Sequence, residues 1–288
     1  MLSQQDIDFY YEEGYLSVED VLTQDEVEDL RRVTDEFVEK SREVTEHTDT
    51  FDLEPGHTPD APKLRRLKSP ADHHPIYDKT LRHPRILDIA EQIFGRPGVR
   101  TNGNKLNIKY AHFGSPVEWH QDWAFYPHTN DDVLAIGVAF DDMNLENGCL
   151  MVVPKSHKGQ IWDHHQDGEF IGAVTDSLFQ PDEAVPVQVR AGGISIHHVR
   201  TLHGSAPNLS ENPRRLYLLQ LLSLDAWPLS GAKDWDEFNN LILRGEPTNQ
   251  PHLTPCPVRM PLPSSDKSGS IYEVQTVLET KIFANQER

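Results

Sequence analysis

His120 and Asp122 stand two residues apart, and His203 follows 83 residues after His120. Two imidazoles and one carboxylate can hold one face of a mononuclear non-haem Fe(II) ion and leave the opposite positions open. On a β-strand alternate side chains share a face, so His120 and Asp122 can reach one ion; on a helix they would diverge. The aromatic-rich segment Trp119-His120-Gln121-Asp122-Trp123 suits a strand. Zinc accepts the same ligands, which makes a hydrolytic zinc site the competing reading. Such a hydrolase needs a general base, often the Glu of H-E-x-x-H, and the sequence lacks that motif. With 15 His and 46 Asp and Glu in the chain, an H-x-D triplet carries weight only through its surroundings.

Those surroundings are specific. Arg214 lies eleven residues after His203, in a stretch that begins His203-Gly204-Ser205. Asn147-Gly148-Cys149-Leu150 precedes Pro154-Lys155-Ser156-His157-Lys158, and Asn107 stands thirteen residues before His120. From about Phe9 to about Leu224 this pattern resembles the phytanoyl-CoA dioxygenase family of Fe(II)/2-oxoglutarate oxygenases. The resemblance implies Fe(2+) on His120, Asp122 and His203, with 2-oxoglutarate and O2 as cosubstrates. It implies that Arg214 clamps the far carboxylate of 2-oxoglutarate, with Asn107 and Ser205 as further cofactor contacts. The planar, permanently charged fork of Arg suits that role. Arg215 is the alternative, but neighbours on a strand face opposite sides, and the spacing from His203 favours Arg214. Lys155 replaces the family's usual Gly, which alters a turn and not a ligand.

The implied reaction is hydroxylation of an unactivated C–H bond of a small organic metabolite, with release of succinate and CO2. A metal-dependent hydrolase on the same ligands and a non-catalytic binding or sensor barrel are the alternatives. Related halogenases replace the carboxylate ligand, so Asp122 argues against halogenation.

Candidate substrate-pocket residues are Trp123 and Phe125, beside Tyr126, as aromatic walls; core packing explains them equally well. His157 sits in the family-like P-x-S-H segment. Arg65 and Arg66, with Lys63 and Lys68, form the only basic cluster and could meet an anionic group, or balance nearby acids at the surface. One of His197 and His198 could line the pocket. His164-His165 reads as loop.

These residues need a scaffold. Short β-like runs at Lys105–His112, Val133–Phe140, Cys149–Val153, Val185–Val189, Gly193–His197 and Arg215–Leu224, with an Asn147-Gly148 turn, predict a mainly β fold with peripheral helices. The architecture expected is a double-stranded β-helix, or jelly-roll, barrel. A single oxygenase domain over 1–288 is expected: a mostly helical part to residue 100, the barrel core over 101–225, then a short helix and extended tail. The capping box Thr23-Gln24-Asp25-Glu26 starts one helix. Pro84 to Gly95 bounds another. Asp234 to Leu243 reads as a short late helix, and the proline-rich stretch Pro247 to Pro263 as a wrapping tail or lid. Thr45 to Pro75 is expected to be a long loop over the barrel mouth.

Composition narrows the partners. The net charge of -19 disfavours nucleic acid and anionic membranes. Two cysteines make no disulfide framework. Met1 to Glu13 lacks an apolar signal core and no run approaches ~18 apolar residues, so a cytoplasmic protein with a small-molecule substrate is expected. Oligomeric state is not legible.

Overall fold

In the computed structural model, residues 1–266 and 269–283 are described. Strands β1 (Tyr15–Val18), β2 (Phe51–Leu53), β3 (Leu64–Lys68), β4 (Val99–Lys109), β5 (Val117–His120), β6 (Val133–Ala139) and β7 (Leu150–Val152) come first in the chain. β8 (His165–Gln166), β9 (Glu169–Phe170), β10 (Val185–Val187), β11 (Ile194–His198), β12 (His203–Ser205), β13 (Arg214–Ser223) and β14 (Ile242–Arg244) follow. The larger sheet has the order β1-β11-β6-β13-β4-β3-β2, with β14 beside β4; the smaller is β10-β7-β12-β5. All their pairings are antiparallel, giving the jelly-roll arrangement expected, although the barrel does not fully close.

Helices α1 (Gln4–Glu13), α2 (Gln24–Lys40), α3 (Pro70–His73), α4 (Pro75–Leu81) and α5 (Pro84–Phe94) precede β4. The Thr23–Glu26 capping box is present, and Gly95 ends α5 in the left-handed conformation. Val27, Leu30 and Val33 of α2 and Ile86, Ile89 and Ile93 of α5 join one buried cluster with Ile136 and Val138 of β6 and Leu219 and Leu221 of β13. The helices therefore cover one face of the larger sheet. Strand alternation turns Ala135, Leu216, Leu218 and Gln220 to the other face, where they line a cavity between the two sheets. That two-sided burial explains the nearly unbroken apolar run in β13.

Besides the five helices, the first hundred residues hold β1, β2 and β3, which extend the larger sheet. Two expectations need correction. Thr45 to Pro75 is not a free loop over the mouth, because β2 and β3 pair with each other and β3 pairs with β4. The late helix α6 (Trp235–Asn240) is shorter than expected, and its last predicted residues enter β14. The segment from Pro247 to Pro263 is extended as expected. Beyond it, α7 (Ile271–Val274) reaches the cavity.

Lys155 adopts φ 63°, the left-handed region that a glycine occupies without strain. Its ammonium reaches Glu12 and Glu13 only at the surface, 3.3 and 3.4 Å away. Relief of the backbone strain outweighs loss of these exposed pairs. Lys155→Gly is therefore expected to raise the melting temperature by roughly 2–4 °C, measured by calorimetry, with iron content unchanged.

Candidate metal and 2-oxoglutarate site

β5 and β12 are adjacent strands of the smaller sheet, and His120 pairs directly with His203 across them. Their rings lie 4.0 Å apart, centroid to centroid. The strand ends at His120; Gln121 stays extended, and Asp122 opens a 3-10 turn. That one extended residue keeps Asp122 on the side of His120, although the segment does not continue as a strand to Trp123. Asp122 Oδ1 lies 3.8 Å from His120 Nε2 and 4.0 Å from His203 Nε2. Ligands about 2.1 Å from one ion can stand up to about 4.2 Å apart, so these separations fit a shared metal.

The protonation states fit as well. His120 Nδ1 lies 2.8 Å from the Glu118 carbonyl and His203 Nδ1 2.9 Å from the Thr201 carbonyl. Each Nδ1–H is donated there, which leaves the Nε2 lone pairs facing the cavity. Burial pushes His120 down to about 4, with Asp122 opposing, and pushes His203 well down too, so both are neutral near pH 7. Burial alone would raise the Asp122 carboxyl, but the His197 hydrogen bond (3.4 Å) and the neighbouring imidazoles hold it well below the usual range. Two neutral imidazoles and one carboxylate form the donor set that Fe(II) takes.

Gln121 alternates to the opposite side and fixes the turn. Its side chain donates to the Arg200 carbonyl (2.8 Å) and accepts from Trp162 N–H (2.9 Å). Its backbone N–H donates to His164 Nε2 at 3.0 Å. His164, which reads as loop in the sequence, thus anchors the ligand segment.

Arg214 is buried and lines the cavity. It donates through Nη2 to the Gly148 carbonyl, and its buried Nε has no partner among the described residues. The Asn147-Gly148 turn makes this possible: Gly148 has φ 71°, and a Cβ there would sit 2.3 Å from the Ala206 carbonyl. A guanidinium with an unmet buried donor suits a carboxylate ligand. Arg215 faces the other way, half-buried, bonding Asp141 (2.8 and 2.9 Å) and Asp35 (3.0 Å). Ser205 and Asn107 also line the cavity. Ser205 Oγ accepts from the buried Lys109 ammonium at 2.8 Å, and Asn107 Oδ1 accepts from Arg66 Nε at 3.0 Å.

The substrate-pocket candidates divide. Phe125 lines the cavity mouth, and Arg66 lines both mouth and interior. Trp123 does not: it is fully buried in a core cluster, with its indole N–H donated to Pro257, where it ties down the tail. His157 lies by Tyr11 and His198, in a separate crevice. Arg65 does not line the cavity: it pairs with Asp52 at 2.9 Å and packs behind Tyr272, 4.5 Å from that ring. His197, not His198, faces the ligands. Sequence reasoning missed Lys105, Gln220 and Tyr272 as lining residues. Lys105 was accessible by alternation from Asn107, two residues along β4; Tyr272 carried no such signal.

A jelly roll that holds a His-x-Asp…His set between its sheets, with an inward arginine on a neighbouring strand, defines the class of 2-oxoglutarate-dependent non-haem iron oxygenases. The family profile described as phytanoyl-CoA dioxygenase (PhyH) matches residues 10–216. A probable alpha-ketoglutarate-dependent hypophosphite dioxygenase of Stutzerimonas stutzeri is 33% identical over 280 residues, 95% of this chain and 97% of that protein. The L-proline trans-4-hydroxylase of Streptomyces griseoviridis is 29% identical over 234 residues, covering 73% of this chain and 82% of that one. Among solved structures, EvdO2 from Micromonospora carbonacea, complexed with 2-oxoglutarate, superposes with a TM-score of 0.63 at 26% identity, covering 81% of this chain and 94% of that one. EctD from S. alaskensis, with bound Fe, gives 0.67 at 21% identity, with 88% of each chain covered, and speaks to the fold alone. The chain belongs to the phytanoyl-CoA dioxygenase family, and it is an Fe/2-oxoglutarate-dependent dioxygenase. Neither the hydrolase nor the sensor alternative is needed. Among the described residues no helix is long and apolar enough to cross a membrane.

Burial holds His120 and His128 down to about 4, and His164 and His198 down to about 3. In the unfolded chain these groups take up protons near pH 6.5. The unfolded state therefore binds more protons between pH 6.5 and 4, and stability falls as pH drops through that window. The melting temperature of the metal-free protein is expected to fall by roughly 10 °C between pH 7 and pH 5, followed by scanning calorimetry. A flat profile would contradict the neutral, buried state of these rings.

Proposed function

We propose that His120, Asp122 and His203 bind the iron, and that Arg214, with Asn107 and Ser205, binds 2-oxoglutarate for hydroxylation of a small substrate. The observation that carries this reading is the direct pairing of His120 with His203 beside an ionised Asp122. The net reaction is R–H + 2-oxoglutarate + O2 → R–OH + succinate + CO2. Bound Fe(II) would let O2 act as the oxidant, with two of the four electrons coming from 2-oxoglutarate and two from the substrate; the chain binds, orients and excludes water. Arg214 fixes the far carboxylate by charge-assisted hydrogen bonds, and Lys109 holds the Ser205 hydroxyl in place so that its proton can be donated into the cavity. His197 steadies the second Asp122 oxygen. Leu216, Leu218 and Ile271 keep the cavity wall apolar and dry.

The packing of α2 and α5 into one cluster with β6 and β13 supports reading the chain as one catalytic unit. A second reading of the oxidised bond, a P–H bond of an inorganic anion, is favoured by the likeness over almost the whole chain to a protein named for hypophosphite.

Asp122→Ala is expected to abolish succinate release and to lower iron content, since two imidazoles leave the ion loosely held and its charge uncompensated. Near-normal turnover would remove Asp122 from the ligand set. Arg214→Ala is expected to raise the KM for 2-oxoglutarate by roughly 30-fold or more, equivalent to about 2–5 kcal/mol for a buried charge pair. Arg215→Ala should leave that KM within about threefold while lowering the melting temperature, because it breaks the contacts to Asp141 and Asp35. The opposite ranking would assign the clamp to Arg215.

A further inference from the structure

Arg66, Lys105, Asp122 and Gln220 line both the inner cavity and its mouth, so they stand at the passage between the two. Arg66 is buried; its Nε is spent on Asn107, and its Nη2 has no partner among the described residues. The Tyr272 ring packs 4.9 Å from its guanidinium. Lys105, on the cavity face of β4, has no hydrogen-bond or ion-pair partner among the described residues. Burial, reinforced by the nearby Arg66 charge and opposed by Asp122, lowers its ammonium to about 8, so it remains mostly protonated at neutral pH.

The charges do not cancel. Among the described residues lining cavity and mouth, Asp122 is the sole carboxylate, against Arg66, Lys105 and Arg214. Fe(II), the Asp122 carboxylate and the 2-oxoglutarate dianion sum to one negative charge, which Arg214 balances. Arg66 and Lys105 then remain as two uncompensated cations in a chain of net charge -19. Asp52 acts on Arg66 from a distance, but its carboxylate is bonded to Arg65. Unpaired cations held away from water are costly, Arg66 buried and Lys105 half-buried, and a bound anion removes that cost.

We propose that Arg66 and Lys105 form the substrate subsite, and that the substrate is a small molecule whose oxyanion group, a phosphorus oxyanion or a carboxylate, is held at the passage. This rests on the oxygenase reading above and names the substrate class for it. Arg66 offers its free Nη2 to one oxygen, and Lys105 offers a mobile point charge to another. The bond to be oxidised then lies close to the anionic group, since the same passage is bounded by the ligand Asp122. Tyr272 and Ile271 close the space above it.

The test is anaerobic isothermal titration of the protein loaded with Fe(II) and 2-oxoglutarate, with hypophosphite and, separately, acetate as probes. The two probes distinguish a phosphorus oxyanion from a carboxylate. The wild type is expected to bind at least one of them. Arg66→Gln and Lys105→Gln should each weaken that binding by roughly 10- to 100-fold, and Lys105→Arg should restore most of it. Affinity for 2-oxoglutarate, titrated first into the iron-loaded protein, should change by less than about threefold in the Lys105 variants that keep the wild-type melting profile; Arg66→Gln also frees Asn107, so its 2-oxoglutarate affinity should fall by less than its probe affinity. Lys105 lies in a sheet interior lined by β13, and Arg66 on β3, so the two variants test the subsite from separate strands. Wild-type protein that binds neither anion, or variants that bind the probe as the wild type does, would overturn the proposal. Variants that lose 2-oxoglutarate by the same factor would overturn it too, placing the cations on the cosubstrate. Failure of the wild type to bind 2-oxoglutarate at all is a separate result, and it would overturn the cosubstrate assignment instead.

Discussion

The pairing of His120 with His203 across β5 and β12 is the constraint on which the rest of the site depends. Two strands hold a fixed spacing, so two imidazoles placed opposite each other converge without help from a loop. Asp122 joins them because one extended residue, Gln121, separates it from His120 and is itself bonded on every side. Shifting this register by one residue would turn an imidazole away from the cavity. The larger sheet meets the same demand with β13, whose alternate residues serve the helix-covered core and the cavity wall in turn.

β5 and most of β13 were legible because their chemistry is local, whereas β12, which carries His203, was not among the expected strands. Spacing on one strand, a turn marked by Asn147-Gly148 and the capped start of α2 are all encoded within a few residues. β2 and β3 were not legible for a physical reason. Leu64-Arg65-Arg66-Leu67-Lys68 carries two adjacent arginines, and both are buried, their guanidiniums packed against the Tyr272 ring. Periodicity treats charge as solvent-facing, so a strand whose arginines turn inward to Asp52 and Asn107 looks like loop. Trp123 misled in the opposite sense. An aromatic beside a metal ligand invites a pocket role, but the 3-10 turn swings it into the core. Tyr272 could not be foreseen, since its partners Arg65 and Arg66 lie some two hundred positions earlier in the chain.

An acidic exterior around a cationic interior has its own physical logic. Lys109 and Arg214 sit fully inside the barrel on paired positions of β4 and β13. Lys109 is tolerated because its ammonium is ringed by the Ser205 hydroxyl and the carbonyls of Ser205 and Ala206. Carbonyl dipoles offset its charge without adding a carboxylate that would compete for Arg214. The surface acids keep the molecule apart from other polyanions, whereas the short-range fields inside decide what enters.

The closing wall of the cavity comes from outside the part of the chain that defines the family. The profile match ends at residue 216, while Ile271 and Tyr272 lie well beyond it. Gln275 secures this segment by accepting from Glu118 N–H and donating to the Gly172 carbonyl, and Glu118 Oε2 accepts from the backbone of Ile282 and Phe283. The tether grips β5, the strand that carries His120, through Glu118. The strands that hold the ligands and the wall that meets a guest are thus separate pieces of chain, so a change of side chain at Ile271 or Tyr272 would reshape the doorway while the β5–β12 pairing stays in place.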